Sequence, residues 1–445
     1  MKLKDAAEIV GAEYNGTDTN FETISIDSRV TAKDYLFIAI VGENFDGHDF
    51  VKDAVKTGAV AAIVSKPVST DIPCLVVSDT RHALANLACH HRLAMPAIVM
   101  GLTGSCGKTT VKTLLANILS QHGKTLSNVY SFNNDIGVPL TLLQLKPSHD
   151  YAVCEMGANH PGEIALLTHI VKPDVAAITN AAAAHLEGFG DVRGVACAKG
   201  EIFQGLRANG IAVINADDDY ADFWKKQVGE HRIVTFGRHN AADVMATSIE
   251  LNAQGQPSFQ LVLPNDEVTV QLRLIGEHNV MNALTAAAMA YAKNVSIVAI
   301  KAGLETTGSY SRRLNEKKGY AGATIIDDTY NANPLSTAAA ISVLAQRGGD
   351  SVFVLGDMLE LGKHTDDLHR QIGEQAGQLG IHRLYCYGKH SRFAAEAFGE
   401  NAYHFDDRDA LLAALRDSLH ADTVVLIKGS KGMGMDKIAK ALVEE

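Results

Sequence analysis

The chain has 445 residues, 47% of them hydrophobic and 20% charged, and carries a net charge of −11. That length asks for two or three domains, and the composition excludes a disordered chain. The negative charge argues against nucleic-acid binding but leaves room for a local basic pocket for phosphates.

The start, "MKLKDAAEIV", lacks the apolar run of a signal peptide, and no later apolar stretch is long enough to span a bilayer. A cytoplasmic protein without membrane insertion is expected. To about residue 83, short strand-like runs ("YLFIAIVG", "VAAIVS", "CLVVS") mix with short helical stretches. "PAIVMGL" then predicts a buried strand ended by a glycine loop. "KTTVKTLLANILSQHG" predicts an amphipathic helix with Gly123 as its stop. The runs "YAVCEMG", "DVAAITN", "GIAVINA" and "RIVTFG" alternate with helices, which argues for a mostly parallel sheet covered by helices. Residues 243–275 change to strand-turn-strand, an antiparallel appendage, and an alanine-rich helix, "NVMNALTAAAMAYAKN", closes the region. From "SRRLNEKKGYAG" onward the β/α alternation resumes as a second doubly wound domain. The expected division is 1–83, 84–312 and 313–445. Six scattered cysteines (Cys74, Cys89, Cys106, Cys154, Cys197 and Cys386) form no Cys-x-x-Cys pair, so neither a disulfide framework nor a zinc site is expected.

"GLTGSCGKTT" misses the strict nucleotide-loop spacing, because Leu102 stands where the first glycine belongs. A strand, a glycine turn (Gly104, Ser105, Cys106, Gly107) and a helix start (Lys108, Thr109, Thr110) nevertheless aim backbone N–H groups at one point. Lys108 can reach β- and γ-phosphates and the Thr109 hydroxyl can ligate Mg²⁺. Glu155 ends a buried strand, where a carboxylate either holds Mg²⁺ or caps the next loop. His185 also follows a strand, and Lys199 alone reads as a surface lysine. No Asn-Lys-x-Asp guanine motif follows the later strands, so adenine is favoured.

Taken together, "TGSCGKTT", "EMGA", "TNAAAAH", "AKGEIF", "GEHNVMNALTAAA", "IIDDTYNANP" and the N-terminal "DSRVTAKDYLFIAIVGENFDGHDF" resemble the Mur ligase family. The resemblance covers all three regions. It implies an α/β fold of three domains: a small UDP-binding domain, a central ATPase domain with a phosphate loop, and a Rossmann-like C-terminal domain. "DDTYNANP", and "EMGANHPGEI" with "NNDIGVPLTLL", favour the branch that adds D-alanyl-D-alanine to UDP-N-acetylmuramoyl-tripeptide. An ATP-dependent, ADP-forming ligase acting as a monomer is expected, with two Mg²⁺ ions. By the resemblance, Thr109 and Glu155 hold one Mg²⁺, while His185 and a carbamylated Lys199 hold the second. Lys108, His185 and Lys199 are the expected catalytic set. Asn279 and Asn282 match nucleotide-contacting positions. Arg313, Asp328 and Asn331 match residues that meet ATP when the domains close, and the role of Arg312 is left open. Ser28, Arg29, Asn44, Gly47 and His48 match the uridine-diphosphate site, and Asn133 and Asn134 would face the muramoyl-peptide.

Overall fold

The computed structural model describes residues 1–14, 16, 18–129, 132–308 and 310–443. Three sheets organise the chain. The first has four parallel strands in sequence order, Thr23–Ser25, Tyr35–Ile38, Ala59–Val64 and Cys74–Val76. The expected strand runs fall on the last three.

The central sheet has nine strands. Ile98–Thr103 lies between Tyr151–Glu155 and Val175–Ile178, parallel to both. The chain leaves Ile98–Thr103 for the edge strand Thr125–Ser127, returns through Tyr151–Glu155, and then crosses to Val175–Ile178 on the other side. The winding direction therefore reverses at Ile98–Thr103. In open α/β sheets such a reversal opens a crevice at the carboxyl ends of the strands, where ligands bind. Glu155 ends one of these three neighbouring strands, and Thr109 and Asn180 follow the other two. Strands 98–103 and 151–155 are almost wholly buried, which explains their continuous apolar sequence.

The antiparallel appendage expected over residues 243–275 is not detached. Val244–Leu251 pairs in parallel with Arg232–Gly237, and Pro257–Leu263 and Asp266–Gln271 extend the same sheet antiparallel. Helices Lys108–Ser120, His278–Tyr291 and Ile297–Thr306 contribute to the core on one face; the last of these helices was not foreseen. The third sheet runs Asn315–Lys318, Thr324–Asp328, Thr423–Lys428, Asp350–Gly356, Arg383–Tyr387, Ala402–Phe405, and only its first strand is antiparallel.

The helix Thr80–Ala94 joins the first two sheets. Asp79 caps it by accepting from Arg81 N and His82 N. Leu84 and Leu87 pack in the first-sheet core, whereas Ala85 and Ala88 pack in the central core. Arg92, fully buried, secures its end by donating to Val171 O, Lys172 O and Asp174. No helix among the described residues is long and apolar enough to cross a membrane.

Candidate active site

The glycine loop is shaped by close approach. Gly104 has φ +147°, and a Cβ there would lie 1.9 Å from Thr179 Oγ1. Gly107 has φ +81°, and its Cβ would lie 2.1 Å from Asn282 Oδ1. Only glycine fits both the angle and the space. The loop is tied down by Asn180, whose carbonyl accepts from Ser105 N and whose Oδ1 accepts from Cys106 N, each at 3.0 Å. Thr179 Oγ1 donates to Cys106 O at 2.6 Å. Lys108 folds across the loop, donating to Gly104 O at 2.5 Å and Ser105 O at 3.3 Å. Burial lowers its pKa, against the opposing pull of Glu155. The helix starting at Lys108 leaves its first N–H groups without helical acceptors, the usual ground for holding an anion.

A cleft of about 990 Å³ opens above this loop. From the central sheet its walls include Ser105, Cys106, Gly107, Lys108, Thr109, Thr110, Glu155, His185, Asn279 and Asn282. Arg313, Asp328 and Asn331 close it from the third sheet's side, and Asn133 and Asn134 line it as well. Glu155 is 1% exposed. Its Oε1 accepts from Asn133 Nδ2 at 2.8 Å, while its buried Oε2 has no hydrogen-bond partner among the described residues. Such an orphan acceptor in a native site calls for an ion or water.

Lys199 lies behind the wall, 1% exposed, donating to Ala158 O at 3.3 Å. Burial and the nearby Lys108 charge lower its pKa to about 7, opposed by Glu163 and Glu201. It is a buried, half-neutral amine, not the surface lysine its local sequence suggests. His185, in the left-handed region at φ +53°, pairs through Nδ1 with Glu360 Oε2. Burial and Lys108 lower the His185 pKa, and Glu360 opposes them.

The two halves of the cleft touch directly. Arg313 Nη2 donates to Thr109 Oγ1 at 2.9 Å, and its guanidinium lies 4.1 Å over the Tyr330 ring. Asn333 Nδ2 lies 3.1 Å from Cys106 Sγ. Lys428, 2% exposed, donates to Asp328 Oδ2 at 2.5 Å and to Asn331 O at 3.0 Å. Arg312 turns elsewhere, donating to Thr329 O at 2.8 Å and pairing with Asp436. Asn279 and Asn282 are linked to each other at 2.8 Å.

The expected uridine residues are not brought to this cleft: Ser28, Arg29, Asn44, Gly47 and His48 do not line it. Arg29 is exposed and paired with Asp27. His48 is buried, its Nδ1 2.5 Å from Asp46 Oδ1 and its Nε2 accepting from Ser65 N at 2.8 Å. Gly47 packs against the Ile40 backbone, where a Cβ would lie 2.7 Å from its N. Asn44 is exposed and the Ser28 carbonyl accepts from Thr57 Oγ1. Of the wall residues, Arg238, His278, Glu360 and Lys428 were missed. Lys428 ends a strand that the sequence does reveal, so its position was the available signal.

Fold and cleft define a nucleotide-dependent α/β enzyme, its phosphate loop on one sheet and its cleft shared with another. Family models for the Mur ligase middle domain (residues 102–290), the Mur ligase glutamate ligase domain (312–431) and the Mur ligase family catalytic domain (20–92) match the chain. The chain belongs to the Mur ligase family. It is 43% identical to UDP-N-acetylmuramoyl-tripeptide–D-alanyl-D-alanine ligase of Escherichia coli K12, over 100% of this chain and 98% of that protein. Against the ligase of the same name from Haemophilus influenzae the identity is 40%, over 99% and 97%. The crystal structure of MurF from Acinetobacter baumannii superposes with a TM-score of 0.92 at 37% identity, covering 98% and 97% of the two chains. MurF ligase from Thermotoga maritima in complex with ADP gives 0.82 at 25% identity, covering 94% and 96%.

Proposed function

We propose that the chain joins D-alanyl-D-alanine to UDP-N-acetylmuramoyl-tripeptide with ATP, yielding the pentapeptide, ADP and phosphate in cytoplasmic peptidoglycan precursor synthesis. The observation that carries this reading is the full-length match to ligases of that one activity. The cleft supplies matching chemistry.

A carboxylate resists nucleophilic attack because of its charge and resonance. In the proposed reaction, the tripeptide carboxylate oxygen attacks the γ-phosphorus and the bond to ADP breaks, leaving an acyl phosphate. The dipeptide amine then attacks the acyl carbon, loses a proton, and the C–O bond breaks to release phosphate. Lys108 exchanges its loop carbonyls for phosphate oxygens as charge shifts. Arg313 sits where it can follow the same charge, and Lys428 keeps Asp328 and Asn331 in place beside it. Contact between the cleft halves excludes water, which would otherwise hydrolyse the acyl phosphate.

The donor set suits Mg²⁺, which prefers a few protein oxygens together with phosphates and waters. Thr109 and the orphan Oε2 of Glu155 would hold one ion. His185 and a carbamate on Lys199 would hold the second. Bound Mg²⁺ offsets phosphate charge during transfer. Carbamate formation needs a neutral amine, and a pKa of about 7 supplies one. In the first sheet, His48 would act by holding the Asn44–His48 loop in shape, since both its ring nitrogens are already engaged. Phosphate release tests the reading. It should depend on the UDP-muramoyl-tripeptide and D-alanyl-D-alanine, and release that needs neither would sink it.

A further inference from the structure

Lys112 lies one turn beyond Lys108 on the helix Lys108–Ser120, on the same face. It is 4% exposed and does not line the cleft. Its ammonium donates to Asn128 O at 3.0 Å and stands 3.7 Å from Glu155 Oε2. Asn128 in turn grips the Glu155 backbone, accepting from its N at 2.7 Å and donating to its O at 3.3 Å. With Asn133 on Oε1, Glu155 is held at its backbone and at both carboxylate oxygens.

A charge buried this deeply needs an opposite charge beside it. Lys112 is close enough to compensate it, yet Oε2 takes no hydrogen bond among the described residues. A tight hydrogen-bonded pair would consume the oxygen that a metal needs. We propose that Lys112 is a positioning residue that holds the Glu155 carboxylate aimed into the cleft while leaving Oε2 open for Mg²⁺. This rests on the assignment of Glu155 to the metal made above.

The test uses the full chain with Lys112→Met, Lys112→Arg, Glu155→Gln and the Met/Gln double variant. Without metal or nucleotide, Lys112→Met strands a buried carboxylate and should lower the melting temperature by roughly 5 °C. Adding Glu155→Gln should recover most of that fall. Lys112→Met should also raise the Mg²⁺ concentration giving half-maximal rate by about 10-fold or more, with partial recovery in Lys112→Arg. Additive melting effects of the two substitutions overturn the proposal. If Lys112→Met does not fold, a folded double variant supports the coupling and an unfolded one overturns it. A Glu155→Gln variant with an unchanged Mg²⁺ requirement would instead overturn the assignment of Glu155 to the metal.

Discussion

Removing the charge of Lys199 should stabilise the fold while destroying activity. The side chain is unpaired with any carboxylate within salt-bridge distance among the described residues; its contacts are the Ala158 carbonyl and the Phe189 ring, 5.1 Å away. Its folded pKa of about 7 lies below the ordinary 10.5. Between these values the unfolded chain binds the extra proton, so stability rises with pH across that window. At pH 7 and below, the buried ammonium costs the fold on the order of 4 kcal/mol. Lys199→Met keeps the apolar stem and removes this cost. In CO₂-free buffer without Mg²⁺ its melting temperature should exceed the parent's near pH 6, with the gain shrinking toward about pH 10. A gain independent of pH, or a loss near pH 6, refutes the buried-cation reasoning. Ligase activity should fall by about 10³-fold, the scale seen when one electrostatic group is removed from such a centre. Lys199→Ala leaves room for a small carboxylate, so added formate or acetate should restore part of the rate. Unimpaired activity in either variant refutes the role assigned to Lys199.

Gly104→Ala forces a Cβ against Thr179 Oγ1 at a φ that side chains avoid, so ATP-dependent turnover should drop about 100-fold or more while circular dichroism stays native. Arg313→Ala should lower kcat about 100-fold, and Arg313→Lys should recover little, because lysine lacks the planar fork that reaches Thr109 while stacking on Tyr330. Steady-state kinetics at saturating ATP would check this. Burial lowers the His278 pKa from 6.5 to about 4. The unfolded chain thus binds more protons between these values, and stability should fall as pH drops through them; denaturant melts of His278→Gln should show a shallower decline.

Much of this site was legible because its residues end buried strands. The phosphate loop, Glu155 and the loop Asn180–His185 follow apolar runs that cannot be mistaken for helix, and the switch point gathers them. Lys112, Lys199 and Lys428 were not legible as buried, because a lysine's environment is set by distant packing: Lys428 meets Asp328 across 100 residues. Glu360 was missed because its loop reaches His185 only through docking of the third sheet. The strands Asn315–Lys318 and Ala402–Phe405 lie at sheet edges and are half exposed, so neither carries an apolar alternation. The N-terminal segment pointed to the right family; the contacts of His48 and Gly47 within their own loop were not legible in it.

The acyl-phosphate route is tested most directly by oxygen transfer. UDP-N-acetylmuramoyl-tripeptide labelled with ¹⁸O in its terminal carboxylate is ligated to D-alanyl-D-alanine with unlabelled ATP, and the released phosphate is weighed by mass spectrometry. The account predicts one ¹⁸O in each phosphate, because the attacking carboxylate oxygen leaves with the phosphoryl group. Unlabelled phosphate would contradict it.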